Sequence, residues 1–321
     1  MTTMFRTIAL CAALSVIGSA SAEQYPVRPV RILVPFPPGG VSDIVARLIG
    51  QKLSDRLGQQ FYVENQGGAG GNLGMGIAAR AGGDGYTILL SSSSYVVNPS
   101  LFSKVPYDAE KDFIPVTRAG VSPNSWIVHP DFAARSMPAL IELLKANPGK
   151  YSIASPGIGT TPHLSIEMLR LAFKLDFVVV PFSGGGTMTP SIVGGHTPIA
   201  NGALGNFVSL LKDGKLRALA VAAKKRSAAM PDVPTLDELG IKDQEAETMQ
   251  GIFVPAGTPA AIVDLLQREI ATIVSMPDIK EKMLALGVEA EGDSSADFAA
   301  YVRSEIAKWR KLIEDANIAR I

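Results

Sequence analysis

Five short stretches gather glycine, proline and small hydroxyl residues where apolar segments end: Phe36 to Asp43, Ser91 to Asn98, Ser155 to His163, Phe182 to Thr187 and Asn201 to Asn206. None of them contains a lysine or an arginine. Such residues can hold an anion without a cation, because bare backbone N–H groups at a helix start, joined by hydroxyls, satisfy a negative group that is otherwise costly to bury. Ordered water can carry some of those contacts.

In Phe36-Pro37-Pro38-Gly39-Gly40 an apolar strand turns into a helix, which makes Phe36, Pro38, Gly39 and Gly40 candidate binding residues. Asp43 falls in the first turn of that helix, where a carboxylate suits the dipole or meets a protonated or hydroxyl group of a ligand. Ser92 and Ser93 follow a strand as ligand contacts or as a helix cap. The segment Ser155-Pro156-Gly157-Ile158-Gly159-Thr160-Thr161-Pro162-His163 precedes an apolar helix. It offers Ser155, Gly157, Gly159, Thr160 and Thr161, with His163 as a helix-start residue. Phe182, Ser183 and Gly184 follow another apolar strand, Phe182 as a pocket wall or as core. Asn201 completes the candidates, although Asn-Gly is first a turn signal.

Enzyme signatures are missing from this sequence. It has no Gly-x-Ser-x-Gly elbow and no His-Glu-x-x-His, so the usual hydrolase and zinc-protease patterns do not apply. Ser209-Leu210-Leu211-Lys212 fits Ser-x-x-Lys but reads as a helix face. The glycines of Gly67 to Gly76 do not make a dinucleotide fingerprint, and no phosphate loop follows. No catalytic residue, metal ligand or cofactor is assigned.

Composition narrows the class further. Arg6, the apolar run Ile8 to Ile17 and Ala20-Ser21-Ala22 form an export leader, residues 1–22, expected to be cleaved near Ala22. Cys11, the only cysteine, leaves with it, so no disulfide is expected. Thirty basic residues balance 30 acidic ones, which gives no broad field for nucleic acid or an anionic membrane. The brief Lys224-Lys225-Arg226 cluster reads as a solvated loop. Without the leader, roughly 300 residues remain, enough for two domains.

The elements that must position the candidates alternate strand and helix, the pattern of an α/β fold. Strands are predicted at Val30 to Val34, Phe61 to Val63, Tyr86 to Leu90, Trp126 to Val128, Tyr151 to Ala154, Phe177 to Val180, Pro198 to Ala200, Leu216 to Val221 and Ile252 to Val254. Helical spacing marks Ile44 to Leu57, Pro138 to Ala146, the segment after Pro259, Ile279 to Leu286 and Ala296 to Glu314. Parallel pairing through right-handed crossovers is the economical topology. Crossings near Val121 to Asn124 and Glu247 to Gln250 would make a discontinuous two-lobe chain. The first domain would be 23–123 with 249–321, and the second 124–248.

Several segments together resemble one family. They include Tyr25 to Arg31, Val34 to Gly40 with Asp43, Val63 to Gly71, Gly82 to Thr87, Pro162-His163-Leu164, Gly214 to Ala220, Pro231 to Thr235 and Pro255 to Pro259. In order and over nearly the whole chain, they resemble the Bug extracytoplasmic solute receptors, the substrate-binding components of tripartite tricarboxylate transporters. That resemblance implies a periplasmic two-domain Venus flytrap, of the type 2 periplasmic-binding-protein fold, with its ligand cleft between the lobes. The implied ligand is a small organic acid, a carboxylate or dicarboxylate, and the implied partner a two-subunit membrane permease. The protein is expected to act as a monomer. A signalling receptor docking on a sensor domain and, further off, a hydrolase are the alternatives. The family often carries an aromatic just before the Gly251 region, where this chain has Met249 and Gln250, leaving room for a longer or aromatic acid.

Overall fold

The structure is a computed structural model that describes residues 25–315 and 318–321, so the expected leader lies outside the described residues. The chain begins with β1 (Val30–Val34), α1 (Val41–Leu57), β2 (Phe61–Asn65), α2 (Asn72–Ala79), β3 (Thr87–Ser91) and α3 (Ser94–Leu101). A long strand, β4 (Phe113–Val128), leads to α4 (Met137–Ala146), β5 (Ser152–Ser155), α5 (Thr161–Phe173), β6 (Val178–Pro181) and α6 (Gly185–Val193). After these come β7 (Ile199–Ala203), the short α7 (Val208–Lys212) and β8 (Arg217–Val221). The chain returns through β9 (Glu247–Pro255) to α8 (Ala260–Ser275), α9 (Pro277–Ala285), β10 (Glu289–Ala290) and α10 (Ser295–Asp315).

Alternation in β1 sends Val30, Ile32 and Val34 to one apolar cluster and Leu33 to another, as a strand buried on both faces requires. Val45, Ile49 and Leu53 recur every four residues along α1 and meet Leu266, Ile270 and Ile273 of α8 in the first cluster. Gly58, at φ +71°, stops α1 by donating its N–H to the Ser54 carbonyl.

The sheet order is β2-β1-β3-β9-β4-β7-β5-β6, with β8 and β10 also paired to β4. Pairing is parallel between β1 and β2, β1 and β3, β5 and β6, and β5 and β7. The all-parallel expectation is corrected at the centre, because β3–β9, β4–β9, β4–β7 and β4–β8 are antiparallel. The cause lies in β4. Its residues Phe113 to Pro123 pair with β9, and its residues from Asn124 onward pair with β7 and β8.

Two lobes result, joined through β4 and β9. The first holds β1, β2, β3, β9, β10 and the early part of β4. The second holds the end of β4 with β5 to β8. One apolar cluster runs from Leu33, Tyr95 and Phe253 through Trp126 to Leu140, Ile153 and Leu164, so both lobes share core.

Candidate functional site

Three helices begin where the lobes face each other. Gly40 is the N-cap of α1 and Gly184 that of α6, and neither helix has a side-chain cap. Their first N–H groups, at Val41 to Asp43 and at Gly185 to Thr187, have no intrahelical acceptor. At φ +150° the Gly184 backbone suits glycine alone. The third helix, α5, is capped by its own sequence. The Thr160 hydroxyl donates to the Gly157 carbonyl at 2.7 Å and accepts the His163 N–H at 3.4 Å.

The starts of α1 and α6 are close together. A methyl group built on Gly186 would lie 3.1 Å from the Pro38 carbonyl oxygen, and one on Gly184 would lie 3.2 Å from Pro37 Cδ. A methyl group on Gly70 of the first lobe would collide with the Ile158 carbonyl of the second. The lobes are therefore closed on one another, and glycine permits the approach.

Between them lies a cleft of about 550 Å³, including its open mouth. Phe36, Pro37, Gly40 to Asp43, Ser92, Gln250 and Thr248 line it from the first lobe and the crossing strand. Pro156, Thr160 to Pro162, Gly184, Gly185, Ala203 and Asn206 line it from the second. Asp43 is the one charged residue in this lining, and no lysine or arginine belongs to it.

Asp43 is occupied. It accepts from the Gly39 N–H at 3.0 Å, from Arg47 Nε at 3.2 Å and Nη2 at 2.9 Å, and from Asn65 Nδ2 at 3.0 Å. Burial works to raise its pKa, but the hydrogen bonds from Arg47, Gly39 and Asn65 prevail and hold the carboxyl below its ordinary range. Asp43 is therefore an ionised brace that fixes the Pro38-Gly39 turn, the Phe36 segment through Asn65, and the start of α1. The Asn65 amide also donates to the Phe36 carbonyl at 3.0 Å.

A hydroxyl chain ties the cleft to the crossing strands. Thr161 and Thr248 share a hydrogen bond of 3.0 Å, and the Thr248 hydroxyl donates to Asn124 Oδ1 at 2.7 Å. Ser93 fastens β9 at the same level, donating to the Glu247 carbonyl and accepting the Met249 N–H. Gln250 is fully buried in the cleft wall, and its amide has no hydrogen-bond partner among the described residues. An unpaired buried amide is costly, so this position suits a polar group brought by a ligand.

The chain matches the pattern of the tripartite tricarboxylate transporter family receptor over residues 45–318. It belongs to that family. BugT of Bordetella pertussis is 33% identical over 318 residues, covering 98% of each chain. The solved periplasmic binding protein BugD superposes with a TM-score of 0.88 at 33% identity, covering 92% of this chain and 99% of that one. A Rhodopseudomonas palustris protein solved with adipate gives 0.89 at 30% identity, over 92% and 100%. MatC from the same organism, solved with bound malate, gives 0.86 at 31%, over 90% and 100%. The family's proteins are solute receptors and not enzymes, and the two-lobed fold here is theirs.

In this receptor, Phe36, Gly40, Asp43, Ser92, Thr160, Thr161 and Gly184 of the predicted site line the cleft. Gly157, Phe182 and Ser183 line a neighbouring cavity instead. Pro38 and Gly39 are exposed on the turn. Ser93 is taken up by β9, and the Ser155 hydroxyl accepts the Gly157 N–H. Gly159 packs under Asn98 and Phe102. Asn201 is buried and donates to Ser165. His163 is buried on α5, where burial pushes its imidazole below the ordinary value. Pro37, Val41, Ser42, Pro156, Pro162, Gly185, Ala203 and Asn206 lie in the candidate stretches without being singled out, Gln250 is noted there only as a departure from the family, and Thr248 is missed. Thr248 and Gln250 sit on a crossing strand and not in a loop beyond a strand end, so the loop rule could not reach them.

Proposed function

We propose that this receptor captures a small organic acid in the cleft, with a carboxylate held by the N–H groups at the starts of α1 and α6. The observation that carries this reading is the meeting of two uncapped helix starts in a cleft whose lining has no basic side chain. Backbone N–H groups and helix dipoles then provide the positive potential. The relatives solved with adipate and malate support the same ligand class.

In this proposal the lobes are residues 23–123 with 249–321, and 124–248. They rotate apart to admit the acid and close to bury it, which presents a joint surface to a two-subunit membrane permease. The receptor acts as an exported monomer in the periplasm.

A thermal-shift panel tests the ligand class. Linear dicarboxylates, citrate-like acids, hydroxy acids, aromatic carboxylates and their uncharged amides would be compared on the purified protein. The expected result is a concentration-dependent rise in Tm for one group of acids and none for the amides, following mass action. Equal stabilisation by acid and amide would remove the carboxylate from the reading.

A further inference from the structure

We propose that a second cavity beside the cleft is a subsite for the apolar tail of the bound acid. The preferred ligand is then a monocarboxylate with an aromatic ring or a chain of several carbons. This rests on the reading of the cleft as the carboxylate site.

The two spaces share walls. Phe36 and Pro156 line both the cleft and the second cavity, a solvent-open space of about 620 Å³ counted with its mouth. A ligand anchored at the α1 start therefore lies beside the second cavity, with Phe36 and Pro156 between the two spaces, and its tail would have to enter between these side chains. The Phe36 backbone is fixed by the Asn65 amide. Its ring lies over Gly71, where a methyl group would come within 3.3 Å of Phe36 Cζ.

The chemistry of the second cavity differs from that of the cleft. Phe36, Phe102, Ile158, Pro181, Phe182 and Ile321 supply its walls, and Ser183 gives the one side-chain hydroxyl. No charged side chain lines it. Aromatic and aliphatic walls gain from covering apolar surface, whereas a second carboxylate there would lose water and find no cation.

The cavity is also a product of closure. Gly68 to Gly71 come from the first lobe, and Pro156 to Ile158 with Pro181 to Ser183 come from the second. Backbone at Gly70 meets backbone at Ile158 with no room for a side chain. A tail placed between these loops touches both lobes, so it favours the closed form by its differential contacts. Because the cavity opens to solvent, gain with length should stop where the chain emerges.

Calorimetry on the purified protein with butanoate, hexanoate, octanoate, 3-phenylpropanoate, adipate and malate tests the proposal. Each methylene that enters the cavity should tighten binding about fourfold, and hexanoate should outbind adipate by at least about tenfold. Ile158→Asp should flatten the chain-length series. The hexanoate and adipate comparison on unaltered protein stands even if that variant does not fold. Affinity independent of tail length, or adipate equal to or tighter than hexanoate, overturns the tail subsite while leaving the carboxylate reading intact. Absence of binding by every acid in the series overturns both.

Discussion

Gly186 offers a direct way to separate folding from closure. It is the second residue of α6, and its backbone lies outside the left-handed region, so any L residue fits the helix. A Cβ there would lie 3.1 Å from the Pro38 carbonyl oxygen, 3.4 Å from the Gly39 carbonyl carbon and 3.5 Å from the Gly40 nitrogen, all on the opposite lobe. Alanine asks those atoms to move by a few tenths of an ångström. Leucine adds three more carbons to a gap that has no space for them. Overpacking of this kind costs about 1–3 kcal/mol. Here the cost falls on the closed form alone, while the helix itself gains from losing a glycine.

Population arithmetic then gives a Kd weaker by roughly 5- to 150-fold for Gly186→Leu, with Gly186→Ala at or below the low end. Calorimetry with an acid identified in the ligand panel would measure Kd, thermal unfolding would measure the ligand-free protein, and small-angle scattering would follow compaction. The expected pattern is weakened binding, unchanged or raised Tm, and loss of ligand-induced compaction. Wild-type affinity with full compaction in Gly186→Leu would refute the reasoning. A Tm loss that matched the affinity loss would do so too, since the effect would then lie in folding.

Further outcomes follow from the same geometry. Thr248→Val removes the hydroxyl that bonds Thr161 and Asn124, leaving the buried Asn124 amide oxygen without its donor; urea unfolding should show a loss of about 1–3 kcal/mol. His163 has a folded pKa below its unfolded one, so the unfolded chain binds more protons and stability falls as pH drops below about 6.5. Burial dominates that shift, with Glu167 and Arg170 acting in opposite senses; His163→Gln should flatten this part of a Tm against pH curve. Acid affinity should change less than about twofold between low salt and about 0.5 M, because a buried site without fixed cations is weakly screened; a steep salt slope measured by calorimetry would point to an unseen basic contact.

Much of the scaffold was legible from local pattern. The apolar run of β1, the four-residue spacing in α1 and the glycine that ends it act within a few residues, so the chain displays them openly. β4 was not, because Pro115, Gly120 and Pro123 punctuate it and its register shifts twice. Those residues look like breakers until β9 supplies a partner. The same limit applies to the site. Gly40, Thr160, Thr161 and Gly184 announce helix starts by residue type, whereas Gln250 and Thr248 reach the cleft only because two strands cross beside it. Asp43 shows a third case. The Arg47 four residues on gave a signal for an ion pair, but Asn65 and Gly39 join it only in three dimensions.

The proposed grip, built from main-chain N–H groups, has no gene-encoded side chain behind it. Among point mutations, only proline deletes a backbone donor outright, so most substitutions around the starts of α1 and α6 leave the donors in place. Under the proposed binding mode, the surrounding walls at Asn206, Phe182 and Ile158 are free to drift without loss of the hold on the acid group. Mutational robustness at one end of the ligand thus makes room for evolutionary change at the other, and a lineage of such receptors could move between acids by altering a few wall residues.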